Sequence, residues 1–237
     1  SAIEIFSVLS SEIMKIDPNN RESESRDRLI VSKGHCVLAY YTALNRFGFL
    51  SDKEIEQFEQ NGAFLHGHAT RSLFRGIEFS GGSLGMGLPF AVGVAMALKR
   101  KQLSAKVYCV IGDGECDEGS IWEAAMCAAH YHLDNLVVIV DKNGLQYDGS
   151  TEAVMNTLSL KNKFAAFGFE AQEVDGHSEQ DLVTAFNGFQ EENKPKVIVA
   201  FTVKGKGVSF MENVKEWHHA ILSEKQYQQA LLEISQS

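Results

Sequence analysis

The chain has 237 residues, 44% of them hydrophobic, and a formal net charge of −9, so it is long enough to bury a substantial core. The acidic balance argues against general nucleic-acid binding. No stretch approaches the roughly 18 to 20 consecutive apolar residues that a membrane span needs, and no signal peptide is visible. Four cysteines (Cys36, Cys109, Cys116 and Cys127) lack CxxC or zinc-ligand spacing, which points to free thiols and a reducing, cytoplasmic setting.

In chain order, Ala2 to Lys15 reads as a helix, and a polar connection from Asp17 to Arg28 leads into Leu29-Ile30-Val31. Ser51 to Asn61 reads as a helix opened by a Ser51–Glu54 capping box. Gly62 to Gly82 is a glycine-dotted loop rich in His and Arg, long enough to suspect function. Leu88 to Lys101 is an alanine-rich helix whose N-terminus follows the Gly82–Gly87 loop and suits anionic groups. Lys106 to Ile111 is a short buried strand, with Cys109 in the core. Ser120 to His132 is a helix, and Asn135 to Val140 a second apolar strand. Thr151 to Ala166 is a loop and helix, Lys196 to Val203 another strand, and Leu222 to Ile234 a C-terminal helix. No repeat or linker divides the chain, so one domain over residues 1–237 is expected.

The strand–turn–helix–strand unit from Lys106 to Val140 implies parallel pairing through a right-handed crossover. The fold class is therefore α/β, a mostly parallel central sheet with helices on both faces. Asp113 and Asn143 then fall at the carboxyl ends of two strands, where open α/β sheets bind ligands. Gly112 and Gly114 let the backbone approach a phosphate closely. By itself Gly-Asp-Gly is also ordinary turn chemistry. His66, His130, His132 and His177 receive structural readings, with Ser178 as an N-cap followed by Asp181. Glu115 and Asp117 read as solvated loop charges, and Cys116 as a bystander. The alanine-rich Trp122–Ala129 face suits close packing, in an assembly or in the core.

The stretch Gly112–Gly149 (GDGECDEGSIWEAAMCAAHYHLDNLVVIVDKNGLQYDG) resembles the transketolase family, in particular its split form, whose N-terminal section is a separate chain. Ser32-Lys33-Gly34-His35, Gly67-His68-Ala69, Gly82-Ser83-Leu84-Gly85-Met86-Gly87, Lys204-Gly205-Lys206-Gly207 and Trp217-His218 are similar to further motifs of that family, in the same order.

The resemblance implies a thiamine-diphosphate-binding (PP-type) domain. Asp113, Asn143 and the Leu145 carbonyl would hold Mg²⁺, or Ca²⁺ or Mn²⁺ in its place, in keeping with the hard oxygen ligands such ions take. Gly112 and Gly114 would line the diphosphate, and Gly82 and Leu84 the aminopyrimidine and thiazolium region. His35, His68 and His218 would surround the reacting carbon and move protons, a task that suits a near-neutral pKa. Glu118 and Glu123 would join a carboxylate network across a subunit interface. His219 stands where the family usually has glycine, leaving open which of His218 and His219 works.

The resemblance also implies what lies elsewhere. The pyrimidine-binding and C-terminal domains are expected on a partner chain, giving an α₂β₂ assembly that moves a two-carbon ketol unit between sugars or sugar phosphates. The family's upstream Ser-Gly-His segment is absent from this sequence; truncation, disorder or loss would each explain it. Other thiamine enzymes are the alternatives: a 2-oxo-acid dehydrogenase subunit, which the His35, His68 and Trp217-His218 elements disfavour, or deoxyxylulose-phosphate synthase, normally one long chain. A catalytically silent scaffold is a further one, kept open by His219 and the missing histidine.

Overall fold

The computed structural model describes residues 1–236, so the last residue of the expected domain, Ser237, lies outside the described residues. Five strands form one wholly parallel sheet: β1 (Arg28–Val31), β2 (Val107–Gly112), β3 (Leu136–Lys142), β4 (Glu170–Asp175) and β5 (Lys196–Phe201), in the spatial order β1-β2-β3-β5-β4.

Both faces are covered, which is why β2, β3 and β5 read as continuous apolar runs rather than as alternating ones. On one face, Tyr108, Val110, Val137, Ile139 and Ile198 pack with α1 (Ile3–Val8), α2 (Val37–Arg46) and α8 (Glu179–Asn187). On the other, Val107, Cys109, Ile111, Val138, Val140 and Val199 pack with α4 (Gly87–Arg100), α5 (Gly119–His130) and α7 (Leu160–Ala166). Successive strand residues thus serve opposite layers. The remaining helices are α3 (Asp52–Glu56), α6 (Thr151–Val154) and α9 (Glu224–Ile234).

Several boundaries differ from the sequence reading. The N-terminal helix stays α-helical only to Val8, continues as a π-turn over Leu9–Ile13, and stops where Met14 turns extended. The Ser51–Glu54 capping box is present, but α3 ends at Glu56. Beyond it Glu59 and Gly62 take φ values of +59° and +81°, which a helix cannot continue through. Strand β4 escapes periodicity because Glu-Ala-Gln-Glu-Val-Asp lies at the sheet edge, paired only to β5. Acidic side chains there discourage edge-to-edge association. Helix α2 follows the Ser32–His35 motif and buries Val37, Tyr40, Tyr41, Ala43 and Leu44.

The Trp122–Ala129 face divides between two environments. Ala124, Ala125 and Ala128 are buried against α4 and the sheet, and Trp122 packs on Phe164 and Phe167 at centroid distances of 5.1 and 5.5 Å. Glu123 and Met126 face outward.

His177 ties two elements together. His177 links Glu4 (2.9 Å) to the Val203 N–H, which donates to its Nε2 (2.7 Å), pinning the chain leaving β5 to α1. Ser178 accepts from the Asp181 N–H and caps α8. The helix α5 ends at His130, and His132 lies beyond it at φ +51°.

Candidate active site at the carboxyl edge of the sheet

Parallel register sets Gly112 of β2 opposite Asp141 of β3, so the turns leaving the two strands emerge side by side. Asp113 heads the first turn. Its Oδ1 accepts from the Gly114 N–H (3.0 Å), and its Oδ2 from the Gly144 N–H of the second turn (2.7 Å). Asn143 heads the second, and its Oδ1 accepts from the Leu145 N–H (3.0 Å). Both side chains are buried. Desolvation raises the Asp113 pKa, with the Gly144 N–H and the Lys33 ammonium opposing it. A buried carboxylate that two backbone donors and a neighbouring cation do not fully compensate is well matched to a hard cation. Among the described residues no three His, Cys, Asp or Glu side chains converge on a metal; Asp113 and Asn143 bring one carboxylate and one amide to the ends of the two strands.

These turns form one wall of a cavity of about 370 Å³. Lys33 and His35 enter from the turn after β1, Gly82 and Leu84 from the loop before α4, and His218 from the segment after β5. Lys33 is only 3% exposed, and its Nζ lies 2.5 Å from Oδ2 of the fully buried Asp141. Burial alone would lower the lysine pKa and raise that of the aspartate; their mutual attraction reverses both, keeping each charged. Asp141 also accepts from Thr202 Oγ1 (2.5 Å) and Ser1 Oγ (2.7 Å).

The surroundings of the two cavity histidines favour their neutral forms. His35 and His218 stand with ring centroids 4.8 Å apart. Although His35 keeps an exposed flank, desolvation of its ring, then the nearby Lys33 ammonium, hold its pKa down to about 3. Desolvation, then Lys204, lower His218 to about 4. Its Nδ1 is buried without a hydrogen-bond partner, as expected of a group that awaits a ligand. His219 is exposed and is not part of the cavity wall, so of the two adjacent histidines only His218 lines it.

Close packing shapes the loop before α4. Gly85 takes φ +77°, and a Cβ there would meet Ser120 Oγ at 2.5 Å and Glu118 Cβ at 2.7 Å. Ser120 Oγ in turn donates to the Gly85 carbonyl (2.8 Å), so the loop and the start of α5 are joined.

The cavity thus gathers His35, Gly82, Leu84, Gly112, Asp113, Gly114, Asn143, Leu145 and His218. Three expected residues do not line it. His68 is exposed and lies next to the cavity-lining Gly82, where an added Cβ would sit 3.9 Å from the His68 ring. Glu118 and Glu123 are exposed at the start and on the outer side of α5.

Lys33, Glu115, Gln146, Tyr147 and Asp148 were not anticipated, yet all line the cavity. Glu115 corrects the reading as a solvated charge: it is 2% exposed, accepting from Ser32 Oγ and from the Gly85 (2.9 Å) and Gly112 (3.0 Å) N–H groups. Asp117 is half-buried, and desolvation raises its pKa. Position inside the Ser-Lys-Gly-His and Gly-Asp-Gly-Glu motifs was the available signal for Lys33 and Glu115. Cys116 is fully buried beside the Gly112 carbonyl, and burial pushes its thiol pKa far up, so it is not reactive. A larger groove of about 560 Å³ beside β4 and α8 is open and acidic, and lies away from the glycine-rich turns.

Known proteins share the sequence and the fold. Residues 1–234 match the family described as transketolase, thiamine diphosphate binding domain. An apulose-4-phosphate transketolase subunit of Phocaeicola vulgatus is 41% identical over all 237 residues, which cover 84% of that protein. The 6-deoxy-6-sulfo-D-fructose transketolase subunit SqwG of Clostridium sp. is 38% identical over 99% of this chain and 86% of that protein. The crystal structure of Campylobacter jejuni transketolase superposes with a TM-score of 0.89 at 32% identity, covering 98% of this chain but 37% of that one. The parallel sheet, the two strand-end turns and the matched sequence together make this chain a member of the transketolase family, corresponding to its thiamine diphosphate binding domain.

Proposed function

We propose that this chain is the cofactor-binding subunit of a two-chain transketolase, moving a two-carbon ketol unit from a ketose or its phosphate to an aldose or its phosphate. The observation that carries the reading is the convergence of Asp113, Asn143 and Leu145 with Lys33, His35 and His218 in one cavity. Asp113, Asn143 and the Leu145 carbonyl would hold Mg²⁺, or Ca²⁺ or Mn²⁺ in its place, and Gly112 and Gly114 would admit the diphosphate. Gly82 and Leu84 would line the part of the site that takes the cofactor's rings. Thiamine diphosphate supplies the ylid and electron sink that ketol transfer requires.

The chain's own residues bind, orient and move protons. Neutral His35 and His218 accept or donate a proton at a ring nitrogen beside the reacting carbonyl, and His68 serves the substrate entrance. Lys33, fixed by Asp141, offsets the negative charge of the bound group. The exposed Glu118 and Glu123 are free to meet a partner chain carrying the pyrimidine-binding domain, in an α₂β₂ assembly. The naming of the relatives as transketolase subunits supports that division. A cytoplasmic location fits the four free cysteines. Among the described residues no helix is long and apolar enough to cross a membrane.

Titration with thiamine diphosphate and Mg²⁺, with and without the complementary chain, followed by a ketol-transfer assay, tests the reading. Transfer that needs both chains supports it. Absence of cofactor binding in the complex refutes it.

A further inference from the structure

Three separate segments meet at one buried carboxylate. Oε1 of Glu115 accepts from Ser32 Oγ, in the turn after β1, and from the Gly85 N–H, in the loop before α4. Oε2 accepts from the Gly112 N–H at the end of β2. Ser32, itself fully buried, receives the Gly87 N–H on the same hydroxyl (2.9 Å), so the junction also reaches the first turn of α4. These segments carry Lys33, His35, Gly82, Leu84 and Asp113, which line the cavity.

A carboxylate is a costly choice for this place. It lies at the wall of a cavity that is to receive an anion, and burial opposes its charge. Its chemistry is nonetheless hard to replace. The Gly85 and Gly112 N–H groups bind different oxygens, so a carboxamide in the same space would set its NH₂ against one of them. One backbone donor would then stay buried and unpaired. Aspartate would fall short by a methylene.

We infer that Glu115 is a positioning residue, fixing the spacing between the Ser32 turn, the Gly82–Gly87 loop and the Gly112 turn so that the cavity is formed before the cofactor arrives. The inference rests on the cofactor reading above. Preorganisation of this kind acts on affinity, because ordering the loops is no longer charged against binding.

The test is thiamine diphosphate affinity, measured calorimetrically with Mg²⁺ on the complex of the full-length chain with its complementary chain. Glu115→Gln, Ser32→Ala and the double variant are compared, with Val138→Ala, fully buried in the core and not in the cavity wall, as the control for general loss of stability. Cofactor-free melting temperatures accompany each. Glu115→Gln is expected to weaken binding at least tenfold, Ser32→Ala at least threefold, and the double variant little more than the worse single one, since both act on one junction. Val138→Ala should leave affinity within twofold of wild type whatever its melting temperature.

Wild-type affinity in Glu115→Gln, fully multiplicative losses, or an equal loss in Val138→Ala would overturn the inference. Should Glu115→Gln fail to fold, Ser32→Ala decides by its own threshold. Absence of binding by the wild-type complex would remove the cofactor reading and this inference with it, whereas the other adverse results remove the inference alone.

Discussion

Replacing Lys33 by methionine would keep most of the side chain's volume and remove its charge, leaving Asp141 fully buried with only hydroxyl donors from Thr202 and Ser1. Breaking a buried ion pair from one side costs about 3–5 kcal/mol, because the other charge is stranded. For a chain of this size each kcal/mol lowers the melting temperature by roughly 2–4 °C, so Lys33→Met should melt about 6–20 °C below wild type. The double variant Lys33→Met/Asp141→Leu should recover much of that loss, since well-packed apolar residues often replace such pairs without cost.

The pH dependence supplies a second reading of the same pair. The folded Asp141 pKa lies far below its unfolded value of about 3.8, so its stabilisation is fully present above that value and is lost as pH falls through the folded pKa. Lys33→Met should lose most of this acid-limb contribution. Thermal melts of the cofactor-free chain from pH 2 to pH 8 measure the loss of stability and enter the acid limb below pH 3.8. A Lys33→Met protein within 1 °C of wild type, or a double variant no better than the single one, would refute the reasoning.

Asp113→Ala should abolish Mg²⁺-dependent cofactor binding; wild-type affinity by calorimetry would sink the metal assignment. Glu118→Ala should weaken assembly or activation of the reconstituted complex while leaving diphosphate contact intact, and unchanged activity would show that the interface role is wrong. The depressed histidine values, about 3 for His35 and about 4 for His218, predict stability that is full above the unfolded pKa of about 6.5 and falls as pH drops toward those values. Urea midpoints should decline over that window in wild type and less in a His35→Asn/His218→Asn variant; parallel profiles would contradict the lowered histidine values.

Much of the fold was legible because β2 and β3 are apolar throughout and bounded by glycine, a pattern that two-faced burial imposes and that needs no tertiary information. Helices α4 and α5 were readable for a similar reason, their alanine content and helical spacing being local. Strand β4 was not, since an edge strand half open to solvent carries Glu and Asp where an inner strand would carry valine. The early end of the first helix was equally hidden, because a π-turn uses the same residue types as the α-helix it interrupts.

By itself, the sequence determined the α/β class, the two strand-end turns bearing Asp113 and Asn143, the Ser51–Glu54 capping box, and the motifs that mark the family. Those features follow from local propensity and short spacings. Only the tertiary structure decided which of His218 and His219 faces the cavity, that Lys33 is paired with the distant Asp141, and that Glu115 is buried rather than solvated. Charge and burial are properties of what surrounds a side chain, and those surroundings come from segments distant along the chain, brought together by one parallel sheet.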